Sequence, residues 1–183
     1  MRVISGLARG TKLKTIESDT TRPTLDRVKE SLFNILQDKL KGAVVLDLFA
    51  GSGALGIEAL SRGAQKAYFC DKNFEAVKVI KENLSKTRFL DKSIVYNSDY
   101  VNAIKKIKEE ISIVFLDPPY KLDLAVSAVS ELIKQKLITK DSLIIIETDE
   151  INRDIKEVQK IENVEVIDTR KYGRANLIFI KLV

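Results

Sequence analysis

Histidine and tryptophan are absent from these 183 residues, cysteine occurs once, and proline three times. Without histidine there is no His-based catalytic triad and no imidazole ligand for a metal. A single thiol, Cys70, cannot form an internal disulfide, and one cysteine without histidine makes a zinc site untenable. That cysteine usage predicts a reduced, cytoplasmic protein, and the position of Cys70 within an apolar run predicts packing rather than nucleophilic chemistry. Long apolar stretches are also missing. The longest are strand-sized, as in Leu143-Ile144-Ile145-Ile146, which predicts no membrane span. Met1-Arg2-Val3 leads into glycine and arginine, so no signal peptide is expected. Acids are missing from the first fifteen residues, which carry Arg2, Arg9, Lys12 and Lys14.

What is present is an ordinary globular composition, 45% apolar and 31% charged, with a net charge of +5. The length fits one domain over 1–183, read as a basic extension (1–23) and a core (24–183). The mild basic excess hints at an acidic partner. No surplus of apolar surface is evident, which favours a monomer.

Residues 1–16 alternate around Gly6 and Gly10, as in a short β-hairpin or irregular strand pair. From Thr24, a plausible N-cap, apolar residues recur at Leu25, Val28, Leu32, Ile35, Leu36 and Leu40. That is helical spacing, closed by Gly42. Strands then alternate with helices. Strands are expected at 43–49, 67–71, 93–97, 111–117 and 142–147. Helices are expected after Gly53, at 74–86, near 100–109 and at about 123–135. This rhythm implies a parallel sheet covered on both faces. The segments 164–169 and 176–183, joined around Tyr172-Gly173-Arg174, read as an antiparallel hairpin completing seven strands.

The run Phe49-Ala50-Gly51-Ser52-Gly53-Ala54-Leu55-Gly56 holds a G-x-G-x-x-G pattern between a strand and a helix. A lone match is weak, but this context suits a nucleotide-like cofactor beside the helix N-terminus. Phe49, Gly51 and Gly53 are the expected cofactor contacts. Asp71 ends the second strand about twenty residues on, where a carboxylate binds ribose hydroxyls. That fits a dinucleotide and S-adenosylmethionine equally. Asp47 separates them, because an acid beside the turn repels pyrophosphate and attracts an ammonium or sulfonium. Asp99, past the third strand, can accept from an adenine amine, with Phe74 or Tyr100 flanking the ring. A helix N-cap or loop acid is the alternative at each of these aspartates.

The fourth strand ends in Asp117-Pro118-Pro119-Tyr120. Both prolines lack an N–H, and each forces the residue before it into extended geometry. The segment therefore offers a carboxylate and carbonyls but few donors. That surface suits an exocyclic amine, with Tyr120 as a stacking face for its base. A rigid loop that merely ends a strand is the alternative.

The pair D-L-F-A-G-S-G (47–53) and D-P-P-Y (117–120) resembles the S-adenosylmethionine-dependent amino-group methyltransferases. R-V-I-S-G-L-A-R-G-T-K-L (2–13), R-P-T-L-D-R-V-K-E-S-L-F-N-I-L (22–36) and F-A-G-S-G-A-L-G-I-E-A-L-S-R-G-A (49–64) extend the likeness to the bacterial RsmD-type family over nearly the whole chain. The resemblance implies a Rossmann-like class I methyltransferase fold with an N-terminal hairpin extension. It also implies methylation of guanine N2 in 16S ribosomal RNA, within the assembling small subunit. Asp117 and the Pro118 carbonyl would then hold the amine, with Tyr120 against the base. Arg2, Arg9, Lys12, Lys14 and Arg22 would contact RNA. Adenine-N6 enzymes share D-P-P-Y, so the N-terminal blocks carry the discrimination. A nicotinamide-dependent oxidoreductase and a non-catalytic RNA-binding module are the other readings.

Overall fold

Five parallel strands run inward from one edge of a seven-stranded sheet ordered β3-β2-β1-β4-β5-β7-β6. The structure is a computed structural model and describes residues 1–16, 23–118, 122–173 and 175–183. The strands are β1 (Val44–Asp47), β2 (Lys66–Asp71), β3 (Ser93–Asn97), β4 (Ile113–Leu116), β5 (Leu143–Thr148), β6 (Val164–Tyr172) and β7 (Ala175–Leu182). The helices are α1 (Pro23–Ile35), α2 (Gln37–Leu40), α3 (Ala54–Ser61), α4 (Phe74–Thr87), α5 (Tyr100–Lys106), α6 (Leu122–Lys134) and α7 (Ile151–Val158). β7 runs antiparallel to β5, and β6 antiparallel to β7. The expected parallel sheet with a C-terminal antiparallel hairpin is the observed one.

Strand alternation divides the core into two layers. Val45, Phe69, Phe115, Ile145 and Phe179 point to the face packed with Phe33 and Leu36 of the α1 region, Ile57 of α3 and Ile80 of α4. Leu46, Val114, Ile144 and Ile178 point to the other, covered by Ala103 of α5, Val129 of α6 and Val158 of α7. The helices fit because their apolar residues recur on one side. Val77, Ile80 and Leu84 of α4 are all buried, as are Ala125, Ala128, Val129 and Leu132 of α6.

Several boundaries differ from the sequence reading. The first helix begins at Pro23, a position where the missing N–H costs nothing, so Thr24 lies inside it and does not cap it. It breaks at Leu36 before the single turn of α2. α5 stops at Lys106, short of 109. Helix α7 was not anticipated. Its apolar positions Ile151, Ile155 and Val158 are only three, and its other residues are polar. At the N-terminus, hairpin pairing shrinks to a single antiparallel bridge, Arg2 to Lys12.

β1 and β4 are neighbours, yet the chain leaves β1 toward β2 and β3 and returns to β4 and β5. This is a topological switch point, and ligands of such sheets bind outside the carboxyl ends of the strands there.

Candidate active site

The chain turns from β1 into α3 through Gly51 and Gly53, both with positive φ (52° and 77°). A Cβ at Gly51 would meet nothing within 4 Å, so the turn is open where a ligand approaches. At Gly56 it would strike the Phe69 ring at 2.3 Å. The third glycine therefore lets α3 lie close on β2.

The three glycine amides of this turn are already engaged. Gly51 N–H donates to Asp71 Oδ2 (2.9 Å), Gly53 N–H to the Ala50 carbonyl (2.7 Å) and Gly56 N–H to Asp47 Oδ2 (3.0 Å). With those donors turned inward and two carboxylates alongside, the turn is a poor cradle for pyrophosphate. It fits a cationic, phosphate-free nucleoside far better than a dinucleotide.

Asp47 is 3% exposed. Burial raises its carboxyl to about 7, against the pull of the Gly56 N–H, and the charges of Asp117 and Asp71 add to the rise. Asp71 sits partly exposed at the end of β2, its second oxygen accepting from Asn73 N–H at 2.8 Å. Asp99 is exposed and caps α5, accepting from Asn102 N–H at 3.0 Å, a bond that holds its carboxyl below the usual range. Here the N-cap alternative is what the local geometry shows, at the same carboxyl edge as Asp71.

Phe49 is half-buried, with its ring centroid 5.8 Å from that of Tyr100. Phe74 is 58% exposed at the start of α4, with the Lys78 ammonium 4.6 Å from its ring centre. Cys70 is buried and its thiol donates to the Ser98 carbonyl; burial pushes it up to about 12, which suits packing, not nucleophilic attack.

At the neighbouring strand end, Asp117 is exposed and Pro118 half-buried. β4 pairs with β1 so that Phe115 is opposite Asp47, which puts Asp117 two residues beyond it, over the carboxyl edge. Tyr120 lies outside the described residues, as does Arg22.

One acid at this edge was not anticipated. Glu147 follows Ile146, whose partner on β4 is Leu116, so it stands beside Asp117 on the next strand. Burial, then the Asp117 charge, raises its carboxyl to about 8. The signal available was an acid closing the apolar run Leu143–Ile146 at a strand end.

The basic N-terminal segment is docked by buried polar groups. Glu58, fully buried, accepts from Ile4 N–H (2.8 Å) and Ser5 N–H (3.0 Å) and pairs with Lys29 (3.2 Å) and Arg62 (2.9 Å). Ser61 accepts from Leu7 N–H and Ala8 N–H. Asn83 then donates to the carbonyls of both Lys14 and Ser52, joining the segment to the glycine turn. The segment thus climbs from the far end of α3 to the cofactor edge. Arg2, Arg9, Lys12 and Lys14 are all exposed along this path, and Lys14 is held by Glu82 at 2.7 Å. α3 has eight residues, so the path alongside it is about 12 Å long.

Residues 1–181 match the family described as Conserved hypothetical protein 95. The chain is 39% identical to Ribosomal RNA small subunit methyltransferase D of Haemophilus influenzae, covering 81% of this chain and 79% of that protein. It is 36% identical to the protein of that name from Escherichia coli K12, over 81% and 75%. Among solved structures, yhhF from Escherichia coli superposes with a TM-score of 0.83 at 28% identity, covering 100% of this chain and 97% of that one.

Proposed function

Since the chain belongs to the RsmD-type family, whose conserved domain it matches over residues 1–181, we propose that it methylates the exocyclic N2 amine of a guanine in 16S ribosomal RNA, using S-adenosylmethionine. One observation carries the reading. The inward-turned glycine loop with Asp47 and Asp71, and the donor-poor Asp117-Pro118 end of β4, share one switch point. The names of the relatives support ribosomal RNA of the small subunit as substrate.

S-adenosylmethionine, when bound, supplies a methyl group made electrophilic by a sulfonium. Asp47, Asp71 and Asp99 are the residues that would hold it, with Phe49, Phe74 and the open face at Gly51 and Gly53 as its apolar contacts. The carboxylates match its cationic end and its hydroxyl and amine donors.

The guanine amine is a weak nucleophile because its lone pair is delocalised into the ring. Accepting its two hydrogens at the Asp117 carboxylate and the Pro118 carbonyl favours a pyramidal nitrogen and stabilises the positive charge that develops there. Fixing the amine in line supplies much of the rest, and well-aligned pairs gain roughly 7–11 kcal/mol. The methylated amine is acidic, so its proton passes to the Asp117 carboxylate or to water without a histidine. Tyr120 is assigned as the stacking face for a base drawn out of its helix.

The test is transfer of labelled methyl to small ribosomal subunits lacking the modification, followed by mapping. Label on one guanine N2, with Asp117→Ala binding cofactor normally but transferring nothing, is the expected result. Label on adenine N6, or full activity of Asp117→Ala, would overturn the assignment.

A further inference from the structure

Beyond the end of β5 a second concavity opens, distinct from the glycine turn. It is a cleft of about 700 Å³ between the start of α7 and the β6–β7 turn, lined by Asp149, Glu150, Asn152, Arg153 and Lys171, with Asn176 at its base. The fold makes it in two steps. β7 pairs with β5 only as far as Thr148 opposite Asn176, and the hairpin continues one pair further, Tyr172 to Ala175. Its tip therefore rises past the carboxyl edge of the sheet as one wall. The other wall is fixed where Thr148 turns the chain into α7: its hydroxyl pairs with the buried Asp154 carboxylate and accepts from Glu150 N–H (3.0 Å), while its carbonyl accepts from Asn176 Nδ2 (3.1 Å).

Ile151 and Gly173 add apolar surface, and the remaining lining residues are polar or charged. Arg153 is committed to Glu150 (3.0 Å) and Asp154 (2.9 Å). Lys171 is exposed, and among the described residues no carboxylate pairs with it, so it is a cation available to an incoming anion. The Asp149 and Glu150 carboxylates accept, and the Asn152 amide both donates and accepts. Among the described residues, a phosphate-binding cation with several hydrogen-bonding groups in a volume of this size fits a single nucleotide.

Its position says which nucleotide. Glu147 stands beside Asp117, and Thr148 and Asn176 are the next residues toward the cleft. β4, β5 and β7 are consecutive strands about 4.8 Å apart, so the cleft begins about 10 Å from the acceptor wall. The exposed basic strip of the N-terminal segment lies on the opposite side of the switch point, along α3 and α4. An RNA strand with one base at Asp117 must leave the site in two directions. The strip receives one arm, and the cleft lies on the path of the other.

We propose that this cleft seats the nucleotide adjacent to the methylated guanine and so contributes to sequence context, a role that rests on the RNA-methyltransferase reading above. Enzymes acting on extruded bases take context from such flanking contacts.

Lys171→Ala and Asn152→Ala are compared with wild type for methyl transfer to undermethylated small ribosomal subunits, with cofactor affinity and melting temperature measured alongside. Lys140→Ala removes the same charge at the opposite edge of the sheet and serves as control. The expected result is a KM for subunits raised about tenfold in the cleft variants, with cofactor affinity and melting unchanged and the control normal. A photo-crosslinker at position 152 should label the nucleotide beside the modified guanine. KM values within about twofold of wild type, or a crosslink only to a ribosomal protein, would overturn the proposal. The two readings fail separately: a wild-type protein that methylates no RNA defeats the enzymatic reading, whereas active wild type with silent cleft variants defeats this one alone.

Discussion

Asp71, the last residue of β2, accepts the backbone N–H of Gly51, twenty residues earlier, at 2.9 Å. The ribose-binding position and the glycine turn are thus one hydrogen-bonded unit. Asp71→Asn keeps the shape but weakens the acceptor and removes the charge. It should lower cofactor affinity by about tenfold or more, while stability falls by only about 1 kcal/mol, the scale of one hydrogen bond. Isothermal titration with S-adenosylmethionine and thermal melting measure the two separately. Unchanged affinity would mean the carboxylate serves the turn alone.

Asp47 and Glu147 make stability fall as pH rises, while Asp47 makes cofactor binding respond the other way. Their folded values of about 7 and about 8 lie above the unfolded ones near 3.9 and 4.3, so the folded chain holds protons that the unfolded chain has lost. Stability from these groups is therefore fullest below about pH 4 and declines as pH rises to about 8, by at most about 1.4 kcal/mol per unit and group. Cofactor affinity should rise over pH 6–8, because a bound cation favours ionised Asp47. Asp47→Asn should melt higher than wild type at pH 8 and bind cofactor weakly, with that part of the pH dependence gone. Affinity flat from pH 6 to 9 would contradict this.

Binding to ribosomal RNA should weaken steeply with salt. Each phosphate contact contributes about 0.7–0.9 to the slope of log K against log salt. Arg9→Ala should lower that slope by about one contact. Lys14→Ala should change it less, since Glu82 already holds that ammonium. Equal effects from the two would show that the Lys14–Glu82 pair opens on RNA.

Gly6 tests whether the strip must be docked to work. Its φ is +82°, and a Cβ there would lie 1.8 Å from the Ser61 carbonyl oxygen. Gly6→Ala should cost about 1–3 kcal/mol and free the loop that carries Leu7 and Arg9. Limited proteolysis near Arg9 should speed up, and subunit affinity should drop while cofactor affinity stays. Normal RNA affinity with a proteolysed loop would remove the strip from the interface.

The core was legible because its signals are local. Unbroken apolar runs in β4 and β5, glycines after β1 and apolar spacing in α4 and α6 each follow from a few neighbouring residues. Helix α7 was not: Ile151, Ile155 and Val158 do fall on one helical face, but only two turns carry the pattern, too short a stretch to stand out among charged residues. Of the site, Asp47, Asp71 and Asp117 could be named because each sits at a strand end, where a parallel sheet gathers its ligands, and Gly51 because it opens the glycine pattern after β1. Glu147 shares that property and escaped notice because it belongs to no motif.

By itself, then, the sequence determined the alternation of strands and helices through β5, the absence of histidine chemistry and the acids Asp47, Asp71 and Asp117 at the strand ends. The tertiary structure alone decided what those acids touch. Burial lifts Asp47, the turn amides point inward to Asp47 and Asp71, and Glu58 and Asn83 bind the basic segment across 53 to 69 residues of chain. Such contacts join residues far apart in sequence, and their partners exist only once the sheet has fixed which strands are neighbours.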